Sequence, residues 1–155
     1  MSRNAVLALL DEWESASQGI VALLPRLRDT ELESGEATDE SCTRGILVHV
    51  LRAGWGYATW ICEQLDFPRP VRRTDPKMVS GRAGFEAAFA ELHAGFRAAL
   101  EPLQDAQLDG PAPGVSPVHF TSRWGESYGV EQMLEHAVCH NLRHRRQLER
   151  RTAVR

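Results

Sequence analysis

The sequence predicts an all-α protein, a bundle of four amphipathic helices joined by long connections. Apolar residues recur at three- and four-residue intervals in four segments, which is the period of one face of an α-helix. Stretches rich in proline, glycine and polar residues separate these segments, and none shows a convincing alternating pattern of strands. A length of 155 residues predicts a single domain over residues 1–155, large enough for its own hydrophobic core. Four such helices in one domain indicate a four-helix bundle.

The first two helices are predicted over residues 4–27 and 42–66. Pro25 is expected to bend the last turn of the first helix or to end it early. An acidic, polar connection from Asp29 to Glu40 follows. The second helix should end where the proline-rich residues 67–80 begin, because these cannot form a regular element. Its candidate N-caps are Thr38, Asp39 and Ser41.

The third helix is predicted over residues 81–107, with Pro102 as a kink or an early stop. A long segment rich in proline and glycine, residues 109–127, comes next, and long loops of this kind are uncommon unless they are functional. Residues 118–121 within it are expected to form a short extended piece. The last helix is predicted over residues 130–151, with arginines near its end that oppose the helix dipole.

Composition limits the classes of partner. The chain has 18 Lys and Arg against 21 Asp and Glu, a net charge of −3, which gives no overall attraction to nucleic acid. The apolar runs are too short to span a bilayer, and no secretory signal is recognisable. The cysteines Cys42, Cys62 and Cys139 form no Cys-x-x-Cys pair, a pattern that fits a reducing compartment. We therefore expect a cytoplasmic protein that binds neither nucleic acid nor a membrane.

Half of the six histidines, His136, His140 and His144, lie four residues apart in the last predicted helix. Four residues make about one helical turn, so neighbouring imidazoles can direct their nitrogens to one cation. The helix phase puts His144 near the middle of the apolar face and His140 beside it, whereas His136 lies on the flank as a surface or supporting residue. The inward pair either binds a metal or forms hydrogen bonds in the core. Gln147 is either an ordinary edge residue or orients one imidazole, and Cys139 points away from His140 and is a poor ligand.

His49 is the candidate for a third ligand, since two histidines rarely make a closed site. It lies in an otherwise apolar run and shares a face with the small residues Ala53 and Gly56, which leave room for a ligand. Taken alone, it is more typical of a hydrogen-bonded core histidine. The neighbours of His93 predict that it is solvated, and His119 in the long loop is more typical of a loop histidine than of a catalytic base.

With these histidines and Gln147, the sequence resembles the DinB/YfiT-like four-helix-bundle proteins. The resemblance rests on a histidine in the second helix and on His-x-x-x-His-x-x-Gln near the C-terminus, preceded by the similar residues 124–136. It extends over essentially the whole chain in length and helix order. It implies that His49, His140 and His144 hold a divalent metal, and it implies a homodimer.

Three imidazoles without a carboxylate would leave a divalent metal with open positions and its full charge. Such an ion lowers the pKa of a bound water or thiol, and zinc suits the ligand set best, with nickel or iron as alternatives. Relatives of this type include S-transferases that use a low-molecular-weight thiol such as bacillithiol or mycothiol. The sequence leaves three functions open: thiol transfer to a small electrophile, hydrolysis by a metal-bound water, and a non-catalytic, stress-related metal-binding bundle.

Overall fold

The computed structural model describes residues 2–108, 120–121 and 127–153, whose regular secondary structure is helical apart from one pair of two-residue strands. The α-helices in these residues are α1 (Asn4–Val21), α2 (Asp29–Glu33), α3 (Thr43–Gln64), α4 (Arg82–Ala99) and α5 (Val130–Ala153). Strands β1 (Phe120–Thr121) and β2 (Ser127–Tyr128) pair antiparallel just before α5. The predicted all-α class is confirmed. No helix in the described ranges has the length and apolar character needed to cross a membrane.

Helices α1 and α5 pack against each other and run in the same direction. The Trp13 carbonyl oxygen lies 3.5 Å from Asn141 Nδ2, and further along both helices Gly19 lies against the Arg145 side chain. Helix α1 also packs against α4, and α3 packs against both α4 and α5. Each of the four longer helices therefore has two neighbours, in the order α1, α5, α3, α4 around a common core.

Helices α3 and α4 also run in the same direction, which explains the long connection between them. Gly54 lies against Leu92, and Cys62 Sγ lies 3.6 Å from the Ala99 carbonyl oxygen further along both helices. The connection must therefore return the chain to the end at which α3 begins. Arg44, at the start of α3, donates hydrogen bonds to two carbonyl oxygens of this returning segment.

Two helices end earlier than their apolar periodicity predicts. Helix α1 ends at Val21, before a 3-10 turn that contains Pro25, and α4 ends at Ala99, before Pro102. Proline lacks an N–H group, and its ring clashes with the carbonyl four residues earlier. The periodicity continues past both helix ends because leucines of the following turns also enter the core: Leu23, Leu24, Leu27, Leu103 and Leu108.

The segment before α3 differs from the prediction in two respects. The predicted connection contains the short helix α2, which buries Leu32 completely. The N-cap of α3 is Cys42, whose Sγ accepts a hydrogen bond from the Gly45 N–H at 3.2 Å, and not one of the three predicted residues. The Asp39 side chain accepts from the Ser41 N–H at 2.8 Å, so it stabilises the turn that precedes the cap.

The prediction that His93 is solvated is wrong, because α1 covers this side of α4 and leaves the residue 6% exposed. Its Nε2 lies 2.7 Å from Ser17 Oγ, and its Nδ1 lies 3.1 Å from Gln18 Nε2. The ring also meets Trp13 edge-on, with centroids 5.6 Å apart. Since the Gln18 Nε2 group donates, Nδ1 accepts and Nε2–H donates to Ser17, which is the neutral form of the ring.

A pH dependence of stability follows from His93. Burial lowers its pKa, and Arg97 acts in the same direction against an opposing effect of Glu14. The unfolded chain therefore takes up this proton at a higher pH than the folded protein does. The stabilisation is complete above the ordinary histidine pKa of ~6.5 and is lost as the pH falls below that value. In urea unfolding between about pH 7 and pH 5, we expect His93→Gln to flatten the decline in unfolding free energy by up to ~1.4 kcal/mol per pH unit.

The matched control is Ser17→Ala, which removes the hydrogen-bond partner at Nε2 but keeps the histidine. It should lower stability at every pH and retain the slope. If the unfolding free energy of His93→Gln changed with pH as steeply as that of the wild type, His93 would not be the source of this pH dependence.

Candidate metal centre

Helices α3 and α5 run antiparallel, and three histidines meet where they cross. The ring centroid of His49 on α3 lies 4.9 Å from those of both His140 and His144 on α5, which are 4.4 Å from each other. Each ring offers one nitrogen, and these three atoms lie within 4.8 Å of one another. In the described part of the chain, no other group of three or more histidine, cysteine or acidic side chains is arranged so that it could hold a metal ion. The structure thus brings together the three residues selected from the sequence.

The hydrogen bonds of the outer nitrogens show which atoms converge. His49 Nε2 and His140 Nε2 are 2.9 Å apart, while His49 Nδ1 lies 2.8 Å from a carboxylate oxygen of Glu40. His144 Nδ1 lies 2.9 Å from Gln147 Oε1, which leaves its Nε2 for the centre. An acceptor at Nδ1 holds the proton there and leaves the lone pair on Nε2, the form in which imidazole binds a metal. Gln147 therefore orients a ring of the group.

Glu40 is the residue of the site that sequence reasoning missed. It lies in the loop before α3, where no helical period applies, and its side chain is 52% exposed. Hydrogen bonds hold the loop on both sides of it, since Arg151 of α5 donates to the Ser41 carbonyl and Asp39 accepts from the Ser41 N–H. The available signal was an acidic residue near the histidine-bearing end of α3, because a carboxylate is a usual partner of a metal-binding imidazole.

His140 and His144, the two α5 histidines of this group, are neutral at physiological pH. Burial, together with smaller effects of His144 and His49, lowers the pKa of His140 to about 3. Burial also lowers the pKa of His144, although its hydrogen bond with Gln147 acts in the opposite direction. Neutral imidazole is the metal-binding state, so these rings need no deprotonation before they bind an ion.

The three nitrogens fit a divalent ion. Zinc–nitrogen bonds of about 2.0–2.1 Å at a tetrahedral angle place two ligand nitrogens about 3.3 Å apart. The 2.9 Å between His49 Nε2 and His140 Nε2 is about 0.4 Å shorter than this spacing. All three nitrogens lie within 4.8 Å of one another, so side-chain rotations would bring them to one ion. One feature is unsatisfied: His140 Nδ1 is buried and has no hydrogen-bond partner among the described residues. With Nε2 on an ion, this atom carries the N–H group and requires an acceptor such as water.

His136 lies outside the group of three, as the helix phase predicts. Its ring meets those of Tyr57 and Tyr128, with centroids 5.8 and 5.4 Å away. Tyr57 also meets His140, at 5.7 Å. These aromatic rings close the groove between α3 and α5 on the side toward the start of α5.

Other residues singled out from the sequence have different surroundings. Gly56 is exposed, and a Cβ atom added there would meet no atom within 4 Å, so the space beside it is open as expected. Ala53 is half-buried, and Cys139 is exposed and does not belong to the histidine group. His119 lies outside the described residues, as does most of the loop that contains it.

Comparison with family models, curated proteins and solved structures finds no match to this chain. Its function must therefore be argued from the residues and geometry of the site.

We expect about one divalent metal per chain in the purified protein, measured by elemental analysis and by competition with a chromophoric chelator. Alanine at His49, His140 or His144 should remove most of the metal, because two imidazoles rarely make a closed site. His136→Ala is the matched control, one helical turn away on α5, and should retain it. Loss of metal in His136→Ala together with full metal content in His49→Ala would show that the ligand assignment is wrong.

Removal of the carboxylate of Glu40 should weaken the metal site without abolishing it. Loss of such a supporting group typically costs about 10–100-fold in metal affinity, and we expect this range for Glu40→Ala in chelator competition. Glu36→Ala is the control, since Glu36 is an exposed acidic residue of the same loop. Equal affinities of Glu40→Ala and the wild type would contradict a role for the His49–Glu40 contact.

Proposed function

We propose that this chain is a DinB/YfiT-like four-helix-bundle enzyme that uses a divalent metal to transfer a low-molecular-weight thiol to a small electrophile. The observation that carries the proposal is the convergence of three imidazole nitrogens in a group that contains no carboxylate ligand. His49, His140 and His144 would hold the metal, and zinc suits three neutral nitrogens best, with nickel and iron as alternatives. A divalent ion held in this way lowers the pKa of a coordinated thiol or water and keeps it nucleophilic near neutral pH.

The family assignment is supported by the arrangement of its motif. The histidine of the second long helix, α3, lies opposite the His-x-x-x-His-x-x-Gln sequence of the last helix, α5. Gln147 contacts the second histidine of that sequence, which gives the final residue of the motif a physical role. A homodimer, which the resemblance implies, is part of the same proposal.

The residues around the histidines prepare the site for this chemistry. Glu40 and Gln147 hold two rings in the tautomer that presents Nε2 to the centre. Burial keeps His140 and His144 unprotonated, so these two ligands add no charge of their own. Tyr57 packs against His140 on one side of the groove and reduces the access of water there.

The thiol function can be tested with protein loaded with cobalt(II). Cysteine, glutathione and bacillithiol would be titrated separately, and a sulfur-to-cobalt charge-transfer band is expected for at least one of them. The same thiol should support conjugation of monobromobimane, in which the sulfur forms a bond to carbon, bromide leaves with its electron pair and the thiol proton passes to solvent. Cobalt-loaded His136→Ala serves as the control and should retain the band.

Absence of both signals in fully loaded protein would contradict thiol transfer. Cleavage of a test ester under those conditions would then favour hydrolysis, and no reaction at all would favour a non-catalytic metal-binding bundle.

A further inference from the structure

A cleft of about 360 Å³ lies between α3 and the returning segment, residues 65–81, that leads from α3 to α4. The residues that line it are Trp55 and Thr59, one helical turn apart on α3, and Arg69, Pro70 and Arg72 of the returning segment. Trp55 follows His49 by six residues, which places it about 120° around the helix from that histidine. The cleft is therefore separate from the three histidines, and its volume is typical of a small-molecule site.

Both sides of the cleft are held by contacts with α4. A Cβ atom added to Gly95 would lie 2.3 Å from Trp55 Cη2, so the indole ring packs directly on the α4 backbone. The Glu91 carboxylate accepts hydrogen bonds from the Arg73 N–H and from the Thr74 hydroxyl, each at 2.6 Å. These contacts fix the ring on one side and the returning segment on the other.

The polar groups of the cleft can donate hydrogen bonds, and three of them lack an acceptor. Trp55 is 5% exposed, yet its indole N–H has no acceptor among the described residues and is not one of the atoms closed off from solvent. The Thr59 hydroxyl and the Arg72 guanidinium also form no hydrogen bond or ion pair with any described residue. A largely buried donor of this kind requires an acceptor from solvent or from a ligand.

The charge at the cleft is positive. Its lining contains two arginines and, among the described residues, no acidic side chain. Glu63 pairs with Arg69 at 2.9 Å, whereas the charge of Arg72 has no such partner in the described ranges. A concave site with an unbalanced guanidinium attracts anions.

We propose that this cleft binds a small organic phosphate, whose oxygens accept hydrogen bonds from Trp55, Thr59 and Arg72. A phosphate monoester carries three strong acceptor oxygens in a tetrahedral arrangement, so it can accept from α3 and from the returning segment together. A guanidinium group also matches two of these oxygens at once. A carboxylate has only two oxygens, in one plane with its carbon, and fits donors from two elements less well. The site is independent of the proposed metal function.

Phenyl phosphate tests the proposal by NMR titration of the isotope-labelled protein, since the indole N–H resonance of Trp55 reports on the cleft. We expect a saturable shift of this resonance with phenyl phosphate, weaker binding of benzoate and no saturable shift with benzyl alcohol, which carries no charge. Arg72→Gln should weaken the binding of phenyl phosphate roughly three- to tenfold. Thr59→Val, which keeps the shape of the side chain, should weaken it as well.

Arg73→Gln is the matched control, because it removes an equal charge from the next residue, whose side chain does not line the cleft. It should keep the wild-type affinity, and so should His49→Ala, in which the metal centre is disrupted. The absence of a saturable shift, equal weakening by the two arginine variants, or benzoate binding as tightly as phenyl phosphate would overturn the proposal. Loss of the shift in His49→Ala would place the phosphate at the metal centre and would also overturn it.

Discussion

The contact between His49 and His140 across the α3–α5 interface is the constraint on which the site depends. It joins residues 91 positions apart, with their Nε2 atoms 2.9 Å from each other. Polar rings in a largely apolar interface are costly unless their nitrogens are hydrogen-bonded. Glu40 and Gln147 meet this requirement at the outer nitrogens of His49 and His144, and these contacts fix the tautomers of the two rings.

The position of Glu40 depends in turn on the connections that the helix directions impose. Because α3 and α4 run in the same direction, the chain returns along the bundle and passes the start of α3 again. Arg44 donates there both to the returning segment and to the Gly35 carbonyl in the loop before α3. Arg151 of α5 donates to the same loop at Ser41. A loop with few apolar residues is thus held by charged side chains, and its carboxylate stays within reach of His49.

A comparison of His93 with the three histidines around His140 shows why burial alone does not indicate a metal site. His93 is as buried as His144, and both of its ring nitrogens have partners, Ser17 and Gln18. Among the described residues no second imidazole is directed at those nitrogens, so the ring is a hydrogen-bonded part of the core. Around His140 the nitrogens of three rings are directed at one another, and Glu40 and Gln147 contact the outer nitrogens of His49 and His144. Convergence of donor atoms distinguishes the two cases.

The sequence by itself determined the features that depend on local geometry. Helical spacing fixes the angle between residues four apart, so His140 and His144 could be placed on one inward side of α5 and His136 on its flank. The same periodicity predicted an all-α fold and located four of the helices, although proline ended two of them early. Selection of His49 also depended on His140 and His144, because a single histidine in an apolar run can be either a hydrogen-bonded core residue or a metal ligand.

Only the tertiary structure decided what the helices and loops do to one another. The burial of His93 could be predicted only with the knowledge that α1 covers α4. The role of Glu40 could be predicted only from the path of the loop before α3, which has no helical periodicity. The parallel course of α3 and α4 also belongs to the features that only the packed chain shows. Periodicity reports which face of one element is apolar, whereas the partner of that face depends on how the whole chain packs.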